Sequence, residues 1–213
     1  MAKARLNFDN YPTPEHLSGA MTTFVHELYP NKSIIIEPAC GSGSFLKKTK
    51  ELWPQAMQLG IDIIDYKAQI ESLGVSFVQA DNITYMASLG QQWLNENTLV
   101  ITNPQYGGDG PQRLVEEISK HGRPGCHVAL LLRQAFLGGI GRALHFKERD
   151  SLRIKRDVAG RPKFNSDSKS QDHSEYAVFI YEIGYHGHYL GWNKPLIWMP
   201  KHQKHAEFAG KLP

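Results

Sequence analysis

Several short stretches of this sequence combine residue types that can do chemistry with positions at the ends of apolar runs. Pro38-Ala39-Cys40-Gly41-Ser42-Gly43-Ser44 follows the apolar run Ile34-Ile35-Ile36 and Glu37, and precedes an amphipathic stretch. Gly41 and Gly43 allow a tight bend and close backbone approach to a ligand, and the helix start that follows offers free N–H groups. The third glycine of a GxGxxG fingerprint is missing because Leu46 occupies its place, so the pyrophosphate signature is incomplete. Asp62 stands 19 residues after Gly43 at the end of a second apolar run, a spacing that suits a ribose diol. Asp81 ends a third such run. Carboxylates accept hydrogen bonds from ribose hydroxyls or an adenine amino group, so these ends together describe a nucleoside-binding edge. Asp65 and Asp81 also suit helix capping. Asn103-Pro104-Gln105-Tyr106 ends a fourth run and, from turn chemistry alone, reads as an ordinary turn.

These residues need strand ends to hold them, and the pattern supplies strands. Residues 33–36, 57–63, 75–80, 98–102 and 127–132 are short, nearly continuous apolar runs, with helical patterns at 44–52, 67–73 and 110–121 between them. Strands alternating with helices at this spacing predict a doubly wound, mostly parallel α/β sheet. The alternation breaks after Leu132. Gly138-Gly139-Ile140-Gly141 opens a polar stretch running to about Ser174, which reads as a functional loop. Residues 176–185 then predict a long strand, and 195–199 an edge piece.

Composition narrows the classes further. With 213 residues, 41% hydrophobic and 21% charged, the chain suits one core of ordinary size, and no linker or repeat divides it. No apolar run approaches the roughly 18 residues that a membrane span needs, and the N-terminus lacks a signal-peptide core, so a cytoplasmic protein is expected. Cys40 and Cys126 belong to no CxxC pair and read as reduced, packed thiols. His186 and His188 have ligand-like spacing but lack a third partner, so no metal site is expected. The net charge is only +3, yet residues 142–173 hold nine Lys and Arg against five Asp and Glu. Residues 194–213 add four against one, on an otherwise net acidic body. That distribution suits a local polyanion-facing surface or a solvated strip.

Taken together, Glu37 to Ser44, Asp62, Asp81 and the 103–106 tetrapeptide resemble the class I S-adenosylmethionine-dependent methyltransferases. The tetrapeptide is similar to the Asn-Pro-Pro-Tyr signature of amino methyltransferases, which act on DNA adenine N6 and, in some members, on RNA or protein glutamine. Tyr11-Pro12-Thr13-Pro14 resembles the motif that covers the methionine end of the cofactor. Leu130 to Leu137, Arg161 to Phe164 and Glu175 to Phe179 extend the likeness to small DNA adenine methyltransferases of bacteriophages and prophages, over nearly the whole chain. Gln105 departs from the pattern, where the family usually has proline.

The resemblance implies a mixed seven-stranded, Rossmann-like sheet in a single domain, with the Tyr176 strand antiparallel. Residues 1–30 would cover the cofactor, 31–97 bind it, and 98–213 hold the substrate, with 142–173 as a basic loop. S-adenosylmethionine contacts are expected from Thr13, Glu37, Ala39, Gly41, Asp62, Asp81 and Asn82. In the implied chemistry the Asn103 side-chain oxygen and the Pro104 carbonyl accept the target amine's N–H bonds, and Tyr106 stacks on its ring. The implied substrate is adenine flipped out of double-stranded DNA. Phe164 is expected as the second stacking face, and Arg156, Arg161 and Lys163, with Arg153 and Lys155 nearby, as phosphate contacts. An RNA or protein-glutamine methyltransferase, or a non-catalytic nucleic-acid- or cofactor-binding relative, shares most of these features.

Overall fold

The computed structural model describes residues 12–106, 109–138, 151–164, 174–186 and 197–198. The expectations resting on Tyr11, on Gly139 to Gly141, on the basic residues of 142–150 and 165–173, on His188 and on the basic tail lie outside the described residues. Helices α1 (Glu15–Leu28), α2 (Ser44–Leu52), α3 (Lys67–Ser72), α4 (Asn82–Ser88) and α5 (Gly110–His121) accompany one sheet. Its strands are β1 (Ile34–Pro38), β2 (Met57–Asp62), β3 (Ser76–Gln79), β4 (Thr98–Thr102), β5 (His127–Arg133), β6 (Leu152–Ala159), β7 (Tyr176–Glu182) and the two-residue β8 (Ile197–Trp198). None of the described helices is long and apolar enough to cross a membrane.

The strand order is β3-β2-β1-β4-β5-β7-β6-β8. β1 to β5 are mutually parallel, and β7 runs antiparallel to both β5 and β6. β1 to β5 form the parallel α/β sheet that the apolar runs predict, and the antiparallel β7 makes it mixed, as the resemblance implies. Alternate side chains of each central strand enter different layers, because the pleat points successive residues to opposite faces. Ile36, Val100, Val128, Leu130 and Phe179 pack with α4 and α5, whereas Ile35, Leu99, Ile101, Leu131 and Val178 pack with α1. Burial on both faces explains why these strands read as continuous apolar runs.

β1 has β2 on one side and β4 on the other, so the chain reverses its direction of winding there. At such a switch point the loops leaving two adjacent strands turn opposite ways and open a crevice at the strands' carboxyl ends. The glycine turn leaves β1 and the Asn103 turn leaves β4, so both border that crevice. The Thr102 hydroxyl, fully buried, donates to the Pro38 carbonyl and joins the two strand ends.

The segment expected as a basic loop contains β6, and this corrects the sequence reading. Charged residues occupy most of its interior positions and mask the strand pattern, and two of their cationic heads lie over aromatic rings. The Arg156 guanidinium sits 4.3 Å from the Phe24 ring centre on α1, and Lys155 Nζ 5.8 Å from that of Phe179. Arg153 pairs with Glu182 at the end of β7, beside the start of β5 and therefore at the far end of the sheet from the Asn103 turn. About eight residues of strand, roughly 25 Å, separate it from Arg161. The expected cationic group is thus divided. Arg161 and Lys163 are exposed at the crevice end, and Arg156 packs against α1.

Phe164 also differs from its expected role as an open stacking face. It is 7% exposed, with its ring 5.0 Å from that of Tyr176. A phenylalanine has no polar handle to keep it at the surface, and the α1 layer offers it a pocket. Phe164→Ala is therefore expected to lower unfolding free energy by about 3 kcal/mol, measured by urea denaturation. A wild-type midpoint would show that the side chain is not part of the core.

Candidate active site

The glycine turn is held in a conformation that few sequences tolerate. Ala39, Gly41 and Gly43 have φ of 69°, 49° and 85°. At Gly43 the positive φ itself favours glycine, and a Cβ there would come within 2.8 Å of Ile70 Cδ1, a side-chain end that would have to shift. Ala39 is a non-glycine residue in the left-handed region, a strained state kept only where surrounding bonds dictate it. Its N–H and that of Cys40 both donate to the Ile61 carbonyl, at 2.8 and 3.0 Å. A Cβ on Gly41 would meet nothing within 4 Å, so the turn's outer surface is open.

Asp62 ties the second strand end to this turn. Its Oδ2 accepts from the Gly41 N–H at 2.8 Å, and its Oδ1 from the Ile64 N–H at 2.9 Å. Each oxygen retains acceptor capacity beyond these bonds. Ile63 and Ile64 beside it are exposed apolar side chains, 42% and 39% accessible, which sequence reading missed. Isolated from their neighbours they look like the end of an ordinary buried strand. Only strand termination at Asp62 shows that they leave the core.

Asp81 caps α4, accepting from the Thr84 N–H at 2.8 Å, and Asn82 is the first residue of that helix. The Thr84 hydrogen bonds hold the Asp81 carboxyl below its usual range. The capping alternative is therefore realised, and the second carboxylate oxygen stays at the exposed carboxyl end of β3.

Glu37 is 2% exposed, and its Oε2 has no hydrogen-bond partner among the described residues. Burial pushes its pKa well above the usual range, against a hydrogen bond from the Leu46 backbone, and the nearby Asp62 charge adds to the rise. The orphaned carboxyl oxygen lies at the open, glycine-lined turn with hydrogen-bonding capacity to spare.

The fourth strand end brings three expected residues together. Asn103 Nδ2 donates to Thr13 Oγ1 at 3.0 Å, across 90 residues of chain. The Tyr106 hydroxyl donates to the Leu131 carbonyl at 2.9 Å and also contacts Asn103 Oδ1. Pro104 is buried, whereas Gln105 is exposed. Thr13 reaches this point because α1 is docked on the glycine turn, with Ser18 Oγ donating to the Ser44 carbonyl at 3.1 Å.

Tyr106 lies between both core layers, its ring 6.0 Å from Tyr176 in an edge-on arrangement. Phe164, Tyr176 and Tyr106 thus form a row in which Phe164 backs the site through Tyr176. Arg133, at the end of β5, lies 5.6 Å from the Tyr106 ring centre and is exposed. The sequence offered no signal for it, since its nearness to Tyr106 depends on the pairing of β4 with β5.

No family model matches the chain, and no curated protein matches it significantly. Solved structures do. A candidate class I S-adenosylmethionine-dependent methyltransferase from Listeria monocytogenes superposes over 97% of this chain and 72% of its own, with a TM-score of 0.67 and 13% identity. The fold is that of the class I methyltransferases. A type I restriction-modification methyltransferase subunit from Streptococcus thermophilus matches 94% of the chain at TM-score 0.67 and 15% identity. The M protein of the type I restriction enzyme EcoKI matches 82% at 0.60 and 14%. This chain spans about half the length of these two, 53% and 44%.

The raised pKa of Glu37 has a pH signature. A carboxyl that keeps its proton in the folded state stabilises the fold fully below the unfolded value of about 4.3, and that contribution is lost as pH rises through the folded value. Glu37→Gln keeps an acceptor for Leu46 and removes the ionisation. It is expected to melt above wild type at pH 8 and to converge with it at pH 4, in calorimetry at the two pH values.

Proposed function

We propose that this chain is an S-adenosylmethionine-dependent methyltransferase acting on the N6 amino group of adenine in DNA. The observation that carries the reading is the placement of Asn103-Pro104-Gln105-Tyr106 at the end of β4, directly across the switch-point crevice from the glycine turn. The likeness to restriction-modification methyltransferase subunits supports DNA as the substrate class.

The residues present fit the cofactor. Glu37, with its orphaned Oε2, and the backbone of Ala39 and Gly41 would hold its amino acid end, with Thr13 closing over it. Asp62 would accept from the ribose hydroxyls, Asp81 and Asn82 would meet the adenine edge, and Ile63 would give the ring an apolar wall. When bound, S-adenosylmethionine supplies an electrophilic methyl group on a sulfonium.

An exocyclic amine is a poor nucleophile because its lone pair is delocalised into the ring. Asn103 Oδ1 and the Pro104 carbonyl accept its two N–H bonds, favouring a tetrahedral nitrogen whose lone pair is free. Burial of Pro104 keeps the two acceptors rigid. Tyr106 lies against the target ring, backed by Tyr176 and Phe164. The target base must leave the duplex to reach this point. Arg161 and Lys163, at the crevice end of β6, meet the phosphate backbone. Arg156, held on Phe24, belongs instead to the packing of α1.

Labelled-methyl transfer to DNA, RNA and peptide substrates tests the reading directly, and transfer to DNA adenine is the expected outcome. Asn103→Ala is expected to reduce turnover at least about a hundredfold with cofactor affinity within twofold by calorimetry. Normal turnover in that variant would refute the alignment of the amine. In DNA binding, replacing Arg161 and Lys163 with Gln should lower the slope of log affinity against log salt by about one unit per phosphate contact. Arg153→Gln should leave the slope unchanged, and equal slopes in all three proteins would return Arg161 and Lys163 to solvent.

A further inference from the structure

The Asn103 side chain is held at both ends of its amide by hydroxyl groups from elsewhere in the chain. Its nitrogen donates to Thr13 Oγ1 at 3.0 Å, and Thr13 is 8% exposed at the entry to α1. Its oxygen is in contact with the Tyr106 hydroxyl, which is itself anchored to the Leu131 carbonyl on β5 at 2.9 Å. We infer that Thr13 and Tyr106 are positioning residues, whose hydroxyls clamp the Asn103 amide so that its oxygen faces the target amine. The inference rests on the methyltransferase reading of the site and goes beyond it, by giving these two residues a role toward Asn103 in addition to cofactor closure and ring contact.

An asparagine amide turns easily about its last torsion, and its two ends differ in function. Turned one way it offers the target an acceptor, and turned the other way it presents a second donor to an N–H group. With Nδ2 held on Thr13, Oδ1 is directed toward the Tyr106 side. The Tyr106 hydroxyl has one proton for two acceptors, Leu131 O and Asn103 Oδ1. Donation to Asn103 Oδ1 occupies one of the two lone pairs of that oxygen, and the second accepts from an incoming amine. The clamp thereby sets direction without consuming the acceptor. It also gives a physical reason for a threonine and a tyrosine here, since valine or phenylalanine would fill the same space without the hydroxyls.

The two sides of the clamp belong to different parts of the fold. Thr13 is carried by α1, which is fixed to the start of α2 through Ser18 and Ser44. Tyr106 is fixed to β5 through Leu131. The amide direction therefore depends on α1, β4 and β5 being docked together, and loosening either flank should reach the reacting nitrogen through Asn103.

The test uses the full chain with Thr13→Val and Tyr106→Phe, each removing one hydroxyl at nearly constant volume, and Thr13→Ser, which keeps it. Two measurements are made. The side-chain amide protons of Asn103 are followed by 15N NMR, assigned from their disappearance in Asn103→Asp. Single-turnover methyl transfer to adenine-containing DNA is measured alongside KM and cofactor affinity. The expected result is a roughly tenfold faster exchange of the Asn103 amide protons in Thr13→Val. The rate of transfer should fall about tenfold in both Thr13→Val and Tyr106→Phe, with KM and cofactor affinity within twofold of wild type. Thr13→Ser should recover most of the rate and the protection. Unchanged amide exchange in Thr13→Val overturns the clamp, whatever the substrate proves to be. Faster exchange with an unaltered rate, or a loss confined to KM or cofactor affinity, overturns its positioning role. Absence of transfer by wild type to DNA, RNA or peptide defeats the methyltransferase reading instead, while the exchange measurement still decides the clamp.

Discussion

The hydrogen bond from the Thr102 hydroxyl to the Pro38 carbonyl is the constraint on which the site depends. It is buried, it crosses from β4 to β1, and it lies where the two chains turn apart. Parallel strands at a switch point are held together along their length by backbone bonds, but at the carboxyl ends the ladder stops and the loops diverge. One side-chain bond at that place keeps the glycine turn and the Asn103 turn at a set separation. A buried hydroxyl without its acceptor costs about 1–3 kcal/mol, so the bond is strongly retained once the core has formed.

From that point most of the site is assembled by bonds that hold loops to strands. Ala39 and Cys40 are held on the Ile61 carbonyl, Gly41 on Asp62 and Tyr106 on Leu131, while Thr13 is held on the Asn103 turn. The strain of Ala39 is tolerated for the same reason, because two backbone bonds fix the turn regardless of its intrinsic preference. Glu37 Oε2, a buried atom without a hydrogen-bond partner among the described residues, is at the centre of this arrangement.

The far end of the sheet has a different character. Lys32 donates to the Glu96 and Gly125 carbonyls, and burial lowers its pKa to about 8. Burial likewise keeps His127 neutral, with its pKa lowered to about 3, and its ring packs on Tyr29 at 3.9 Å. Arg153 and Glu182 complete this group. Lys32 satisfies loop carbonyls and Arg153 pairs with Glu182, so the charge they carry is used within the fold. Basic residues of one sequence segment therefore serve two ends of the molecule, and counting them together overstates the surface open to a polyanion.

The sequence by itself determined the sheet and the places where its strands give way to glycine and polar turns. Strands buried on both faces leave continuous apolar runs, and a turn that needs φ above zero leaves glycines, so both are written in local composition. Gly41, Asp62, Asp81 and Asn103 were legible for that reason. β6 was not, because only Leu152 and Val158 near its ends are buried and the charged residues between them conceal the alternation. Phe164 and Arg133 were not assignable either. A phenylalanine in a polar segment can face a ligand or the core, and only the docking of that segment on Tyr176 decides between them. Arg133 meets Tyr106 through the pairing of β4 with β5, and Thr13 meets Asn103 through the docking of α1. Contacts between residues tens of positions apart depend on how elements pack, and packing is a property of the whole core rather than of any one stretch of it.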